Sequence, residues 1–585
     1  MDQAMPAKRQ LFIHDVILIG IMAVLAACGL IYEYLLSHYA GRVLGAVETA
    51  IYAMIGIMIV SMGIGAFAAR LFKHPFTAFA WLEAVIALVG MSAILLIAGL
   101  IALIGTLPQV LTDIFNLPPG TVLDGNILIN LQEMAEFTPY FAGFLLGFLI
   151  GMEIPLIARV RQQVYGTFLE NNAGTIYGAD YIGAGVGAAI WVTFMLSMDI
   201  TQAAVLTALL NVLAGCVFLW RYFDKVKWAK ALVLFHVLLL AILLLLANKG
   251  QSWMQQFTNV LYKDQVILST QSNYQHIAVT ERIISVDQPP ILDLYLNGRL
   301  QFSSADEHIY HAMLVYPAMA ASARHDNILL IGGGDGLALR NVLKWNPKQV
   351  TLIDLDPTLV GLFSESAFIE DGSVEDTSLE GKSAKRINQQ MVALNEQAFS
   401  DPRVKVILGD AFIEINPLIA QQAKFDTIII DLPDPSHPDL NKLYSDFFYT
   451  KVGRLLQGDG AMVIQSTSPY HAKRAFQSIG KTVSAAGFGH VEQYRQNVPS
   501  FGEWGWTIAT KIGQSASNRI KSQSHFPVED SWITSAIILG AFAFPANFYS
   551  NINEIQVNYL GSSVLFQYHH QAWQKDQGLY YQPQP

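Results

Sequence analysis

A chain of 585 residues is long enough for more than one domain, and this one is 52% hydrophobic and only 14% charged, with mean hydropathy +0.36. Its net charge of −10, with no basic stripe, excludes a nucleic-acid binder. Both cysteines, Cys28 and Cys216, fall in apolar runs, so there is no disulfide framework or Cys-x-x-Cys pair, and no metal site is expected.

The apolar excess lies almost wholly before residue 250. Seven runs there approach the roughly 20 apolar residues that a bilayer crossing needs: Val16–Tyr39, Ile51–Ala69, Phe76–Leu107, Phe141–Ile157, Ile176–Met198, Ala203–Trp220 and Ala231–Ala247. The first continues into others and lacks a small-residue cleavage pattern, so it reads as a span and not as a removable signal. The chain thus predicts an all-α membrane bundle of about seven spans. Lys8 and Arg9, Arg70 and Lys73, Arg159 and Arg161, and Arg221 to Lys230 mark the N-terminal tail and the even-numbered loops as cytoplasmic, against Arg42 alone in the odd ones. Seven crossings would then leave everything after Lys249 outside, whereas the cytosolic co-substrate argued below places the second half inside. A miscounted third or fourth segment reconciles the two.

Glu33, Glu83, Glu153 and Asp180 lie in or beside these spans. A carboxylate in hydrocarbon usually faces a bundle interior and often marks a pathway. Glu153 in GMEIP and Asp180 in GADYIGAGVG are the stronger candidates, with a helix-end or interhelical hydrogen bond as the plainer reading, above all for Glu83. Gly183, Gly185 and Gly187 are expected to let helices approach closely.

After Lys249 the pattern changes. Gln265–Phe302 alternates with period two around turns at Asp287-Gln288-Pro289-Pro290 and Asn297-Gly298, which predicts a small antiparallel β-sheet. A helix over Asp306–Ala323 leads to an apolar run, Ile328–Ile331, then Gly332-Gly333-Gly334-Asp335-Gly336, a helix from Leu337, and a second apolar run closed by Asp354. This is one strand–helix–strand unit. Its glycines let the chain turn sharply and bring backbone N–H groups close to a ligand. Asp354, at the tip of the next strand, is placed to bind ribose hydroxyls. An adenosine-containing ligand is expected, and because Asp335 would repel phosphates, a cationic one.

The polar, acid-rich stretch Glu365–Pro402 is too long for an ordinary connection and is expected to be disordered, or else a lid. Val404–Leu408, Phe425–Ile430 and Ala461–Gln465 complete an α/β doubly wound parallel sheet, in which ligands bind beyond the carboxyl ends of the strands. Asp335, Asp354, Asp410, Asp431 and Asp434 all fall at that edge. One such acid is easily a helix cap; five together point to a cationic ligand beside an amine. An aliphatic amine, with a pKa of about 10.4, arrives protonated and needs a base. Asp431 or Asp434 fits that part once burial and neighbouring acids raise its pKa.

At this point the residues resemble a family. Tyr274-Gln275, Asp306-Glu307-His308-Ile309-Tyr310-His311, GGGDG, IDLD, LGDAF and DLPDP, in this order, resemble the spermidine synthases, polyamine aminopropyltransferases with a fold like that of S-adenosylmethionine methyltransferases, over about Gln265 to Lys511. The resemblance implies transfer of an aminopropyl group from decarboxylated S-adenosylmethionine, a co-substrate, to putrescine, giving spermidine and methylthioadenosine, with no cofactor. It implies Asp431 as general base, Asp434 as a diamine ligand, and His311 and Asp335 holding the polyamine or aminopropyl amine. Tyr310 would lie close to the transferred group, and Gln275, Asp354, Asp410, Ala411 and Pro438 would line the methylthioadenosine pocket. With GLIYE, GMEIP, GADYIG, VPSFGEWG and the tail included, the whole chain is similar to the bacterial branch of that family embedded in the cell membrane. The tail's apolar segment, Trp532–Phe544, is too short to span.

The implied division is a transmembrane domain over 1–250, the small sheet over 251–305, the catalytic domain over 306–515 and an extension over 516–585. The small sheet resembles the piece that pairs subunits in soluble relatives, which implies a homodimer or higher homo-oligomer. Leu432, Pro433 and His437 depart from the soluble pattern, and the VPSFGEWGW segment replaces the loop that closes over the amine. The donor is therefore better supported than the acceptor, and Glu503 is a candidate for the distal ammonium. Two other readings compete: an S-adenosylmethionine-dependent methyltransferase, and a polyamine transporter or sensor whose soluble part has become a binding module.

Overall fold

The computed structural model describes residues 8–576, except 45–46, 116–130, 132–133, 136, 166–171, 261, 263, 273, 286, 366–378, 523–527 and 529–531. The chain forms two compact units, Met1–Lys263 and Asp264–Pro585.

Among the described residues the first unit contains the helices α1 (Lys8–Leu44), α2 (Val47–Ala68), α3 (Pro75–Ile114), α4 (Thr138–Ile150), α5 (Glu153–Tyr165), α6 (Asn172–Thr193), α7 (Ile200–Tyr222) and α8 (Ala229–Asn259). Six segments among the described residues are long and apolar enough to cross a membrane, with α4 and α5 together making one of them. The break between these two falls at Gly151-Met152, where Pro155 has no N–H to continue the helical ladder. The expected run Ile176–Met198 lies mostly in α6, which is helical but falls outside the six because Asp180 and its glycines dilute its apolar character. Two of those glycines set its packing: a Cβ on Gly183 would lie 2.1 Å from the Ala23 carbonyl oxygen, and one on Gly187 2.6 Å from that of Ala27, so α6 lies directly against α1. Gly185 faces open space. The helices are apolar outside as well as inside: Ile59, Val60, Phe67, Leu234 and Leu244 are each more than 60% exposed.

The second unit opens with a four-stranded antiparallel sheet, β1 (Gln265–Gln271), β2 (His276–Arg282), β3 (Ile291–Leu296) and β4 (Arg299–Ser303), paired in that order. After α9 (Glu307–Ala321) come β5 (Asn327–Gly332), α10 (Leu337–Leu343), β6 (Gln349–Asp354), α11 (Pro357–Leu362), α12 (Leu379–Leu394), β7 (Val404–Leu408), α13 (Ala411–Ala420) and β8 (Phe425–Asp431). They are followed by α14 (Asp446–Leu455), β9 (Leu456–Gln465), α15 (Lys473–Ala485), β10 (His490–Val498) and β11 (Gly502–Thr510). The seven strands from β5 on form one mixed sheet in the order β10-β11-β9-β8-β5-β6-β7, parallel from β9 to β7, with the β10–β11 hairpin antiparallel at one edge. Ile328, Leu329, Leu330 and Ile331 are completely buried, as a strand covered on both faces requires.

The expectation of disorder over Glu365–Pro402 is corrected for its described part. Residues 379–394 form α12, whose Ile387 and Met391 are buried with Leu337, Phe363 and the inner face of the small sheet; residues 366–378 lie outside the described residues. That apolar stripe is narrow, and polar residues outnumber it along the helix.

The C-terminal extension supplies α16 (Ala516–Lys521), α17 (Ser535–Ala541) and α18 (Val564–Asp576). Ile538 and Ala541 of α17 join a core with Met313, Tyr494 and Trp506, whereas Leu565 and Tyr568 of α18 join a different core with Tyr444, Phe448 and Ile479. The extension thus contributes to two separate cores of this unit.

Candidate active site

Parallel pairing brings the carboxyl ends of the strands together. Gly332, the last residue of β5, is in register with Asp431, the last of β8, and Asp354 of β6 with Leu408 of β7. The approach at the first pair is close: Gly332 has φ +79°, and a Cβ on it would lie 2.0 Å from the Asp431 carbonyl oxygen. Two residues on, a Cβ on Gly334 would lie 2.8 Å from the Asp354 carboxyl carbon. Only glycine lets this turn lie between two acids.

Asp431 is half-buried, and its Oδ1 accepts the Tyr310 hydroxyl of α9 at 2.8 Å. Burial raises its pKa to about 6, with the Asp335 charge adding to the rise and His311 and the Tyr310 hydrogen bond opposing it. His311, one residue along α9, is held at Nδ1 by the Glu307 carbonyl and carboxylate at 2.8 and 2.9 Å. Arg340 of α10 closes the set with a bidentate pair to Glu307, 3.0 Å on each arm, and a bond to the Leu394 carbonyl at the end of α12. Burial disfavours charge on His311, but Glu307, Asp335 and Asp431 outweigh it and raise its pKa. Burial likewise opposes ionisation of Glu307, yet His311 and Arg340 bring its pKa down to about 2.

Asp335 accepts the Leu337 N–H at 2.9 Å, and its pKa is raised by burial against the opposing His311 charge. Asp354 accepts the Asp356 N–H at 2.9 Å, and burial, partly offset by that bond, takes it to about 7. Tyr310, His311, Asp335, Asp354 and Asp431 therefore lie within electrostatic reach of one another in a chain of neighbours.

The other expected residues have partners of their own. Asp410 caps α13 by accepting the Phe412 N–H at 2.9 Å and pairs through its second oxygen with Lys442, which is the plainer part that any single strand-end acid could play. Ala411 is the first residue of that helix, and Pro438 opens the short 3-10 segment Pro438–Tyr444. Gln275 donates to Asp356 at 2.9 Å, beside Ser272 at 2.7 Å. Glu503 is paired with Arg495 across the β10–β11 hairpin, so its carboxylate is already engaged by a cation.

Beyond Asp431 the DLPDP loop is pinned from β9. The Gln465 amide donates to the Leu432 carbonyl and reaches the Tyr444 hydroxyl, both at 2.7 Å, and that hydroxyl donates to the Pro433 carbonyl at 2.9 Å. Asp434 then meets Gln465 at 3.5 Å, Thr467 at 3.3 Å and His569 Nε2 of α18 at 3.2 Å. Thr467 has φ +60°, an uncommon conformation for a β-branched residue and one found at sites that the surroundings over-determine. Sequence reasoning missed Gln465, Tyr444, Thr467 and His569; the Glu307–His311 pair was visible as an i,i+4 spacing. The Asn395 amide, which donates to the Asp335 and Phe363 carbonyls at 3.0 and 2.9 Å, was hidden in the stretch expected to be disordered. A cavity of about 680 Å3 beside Ala320–Ala323, Asp459 and Arg519 lies near the opposite ends of the strands and contains none of these groups.

The arrangement presents several carboxylates, one of them poised near neutrality and held by a tyrosine, around a glycine turn that suits a nucleoside. Residues 307–522 match the spermine/spermidine synthase domain. A polyamine aminopropyltransferase of Shewanella oneidensis is 55% identical over 97% of this chain and 96% of its own length. Polyamine aminopropyltransferase 1 of Streptomyces coelicolor is 32% identical over 89% of this chain and 88% of its own. A crystal structure of spermidine synthase from Thermotoga maritima superposes with TM-score 0.40 and 23% identity, covering 49% of this chain and 88% of that one. Identity of this order, running through both the helical and the sheet unit, makes the chain a member of the polyamine aminopropyltransferase family.

Proposed function

We propose that this aminopropyltransferase uses decarboxylated S-adenosylmethionine as donor and putrescine as acceptor, releasing spermidine and methylthioadenosine, with Asp431 as general base. The observation that carries the reading is the Tyr310–Asp431 pair at 2.8 Å, at the tip of a strand that adjoins the glycine turn. Asp431 takes a proton from the ammonium, which frees the nitrogen lone pair, and that nitrogen attacks the aminopropyl carbon bonded to the sulfonium. The C–S bond breaks with its electrons left on sulfur. A carboxylate near 6 facing an ammonium of about 10.4 makes that proton transfer uphill by about 6 kcal/mol. A cost of that size fits within the barrier of about 13–17 kcal/mol that ordinary turnover rates imply. In this reading His311, Asp335 and Asp434 hold the cationic ends of the amines, and Gln275, Asp354, Asp410, Ala411 and Pro438 surround the nucleoside.

The test is product analysis on the purified protein with decarboxylated S-adenosylmethionine and a panel of amines. Spermidine and methylthioadenosine are expected from putrescine, with at least a ~100-fold loss in Asp431→Asn. Methylated products, or an Asp431→Asn variant as active as the parent, would overturn the reading.

The first unit is proposed as a multi-pass domain of the cell membrane, because helices apolar on all sides are stable only where their outer faces also avoid water. With α6 packed in the bundle but not crossing, six crossings return Asp264 to the side of the N-terminus, taken as cytoplasmic from Lys8 and Arg9. This arrangement meets the donor in the cytosol, at odds with the cationic loop Arg221–Lys230. A fluorescent protein fused at the C-terminus should fold and fluoresce; an active periplasmic phosphatase fusion would reverse the assignment.

A further inference from the structure

The helical unit contains a second polar centre that aminopropyl transfer does not use. Glu83 of α3 is fully buried. Asn211 of α7 donates its side-chain amide to both the Glu83 carbonyl and Oε2, at 3.1 Å each, while Oε1 has no hydrogen-bond partner among the described residues. His236 of α8, 4% exposed, places Nδ1 2.9 Å from the Leu232 carbonyl. A carbonyl only accepts, so Nδ1 carries the hydrogen; in the neutral ring Nε2 presents a lone pair, and Nε2 too has no partner among the described residues. Both groups flank Gly215: a Cβ there would lie 2.9 Å from His236 Nε2 and 3.7 Å from Glu83 Cβ. The Tyr32 hydroxyl, buried against Gly90 of the same helix as Glu83 and within electrostatic reach of Glu83 and Glu153, is the third such group. Glu153 of α5, 1% exposed, completes the centre, and the charges acting on it are those of Glu83 and Asp180.

Each orphaned buried polar atom costs about 1–3 kcal/mol, and an unpaired buried carboxylate costs more. Three orphans on three helices, beside a second buried acid and, among the described residues, without a lysine or arginine acting on either carboxylate, call for a ligand to complete them. The unmet demand is for hydrogen-bond donors and positive charge. Anions are excluded by the carboxylates. A metal is disfavoured because no three His, Cys, Asp or Glu side chains converge for one among the described residues. A primary ammonium brings three N–H donors, no acceptor and one positive charge, which matches Glu83 Oε1, His236 Nε2 and the Tyr32 oxygen.

We propose that the helical unit contains an amine-binding site, centred on Glu83, His236 and Tyr32 with the charge of Glu153 nearby, that takes the ammonium end of an alkylamine independently of the catalytic pocket. The ammonium chemistry stands on the helices alone; the use of a polyamine as probe rests on the aminopropyltransferase reading.

The experiment is equilibrium binding of radiolabelled spermidine to the full-length protein in lipid nanodiscs without donor, counted per chain. Two sites are expected in the parent, one in Asp434→Asn, and one in either Glu83→Gln or His236→Gln, with the affinity of the lost site reduced at least about tenfold. Glu83→Gln keeps the shape that Asn211 grips, and His236→Gln reads the same site should the first variant fail to fold. Aminopropyl transfer by both variants should remain within about twofold of the parent. A single site in the parent, which a centre that binds only protons would give, overturns the proposal, as does a count of two that neither helical variant changes. Failure of the enzymatic reading is seen separately, as absence of aminopropylated product while two amines still bind.

Discussion

Replacing Tyr310 by Phe isolates what one hydroxyl does for the proposed base. The ring is held by His311, Phe501 and Trp506, with centroids 5.0, 5.9 and 5.6 Å away, and phenylalanine keeps all three contacts. What is lost is the 2.8 Å hydrogen bond to Asp431, which favours the ionised carboxylate. A hydrogen bond to a charged group is worth about 1.5–3 kcal/mol, and at 1.36 kcal/mol per unit that raises the Asp431 pKa by roughly 1–2 units. From a starting value of about 6, the acid limb of kcat/KM should move to roughly 7–8. At pH 7 the ionised fraction falls from ~90% to between ~50 and ~10%, so the variant should be roughly 2- to 10-fold slower there and approach the parent by about pH 9. Deprotonation of the amine substrate affects both proteins alike and cancels in their ratio. The assay is methylthioadenosine release from pH 5.5 to 9.5 at subsaturating amine. A ratio that stays constant across this range would refute the link between Tyr310 and the ionisation of Asp431.

His569→Ala removes a donor from Asp434, so KM for the amine should rise about 5- to 30-fold while KM for the donor stays within about twofold, as initial-rate kinetics would show. Arg340→Met breaks a buried pair and should destabilise the protein by about 3–5 kcal/mol, read as a drop in the unfolding midpoint. The sign with pH follows from Glu307: its folded pKa of about 2 lies below its ordinary 4.5, so its contribution is complete above 4.5 and fades as pH falls toward 2. The Tm difference between the parent and Glu307→Gln should therefore narrow as pH is lowered through that window. Asn395→Ala frees the Asp335 carbonyl and should lower Tm and slow turnover together, whereas an Asn395→Ala protein with parental kinetics would separate that amide from the glycine turn.

Much of the catalytic unit was legible because a parallel strand buried on both faces announces its end where the apolar run stops. Asp354 and Asp431 stand at such stops, and the glycines between β5 and α10 mark the turn they face. What a carboxylate meets across space was not legible. Asp410 looks in sequence like its companions, yet Lys442 and its own helix engage it. His569 is 135 residues from Asp434 and belongs to a tail whose composition says nothing of a pocket. The helix 379–394 was hidden because its polar residues outnumber a stripe that becomes meaningful only against Phe363 and Leu337. In the helical unit, α6 reads as apolar until Asp180 and its glycines are weighed, and two of those glycines, Gly183 and Gly187, serve α1.

The docking of α18 also orders events in time. Asp434 and His569 lie 135 residues apart, which at synthesis rates of about 5–20 residues per second is roughly 7–27 s of translation. For that interval Tyr444 and Phe448, completely buried in the finished protein, lack Leu565 and Tyr568 as neighbours, and Asp434 lacks one of its three donors. A nascent chain thus carries a nearly complete catalytic unit with an open apolar seat before it can hold the proposed amine pocket in final form. Slow passage through residues 434–569 would prolong that exposure, linking the yield of folded enzyme to the pace at which its last helix is made.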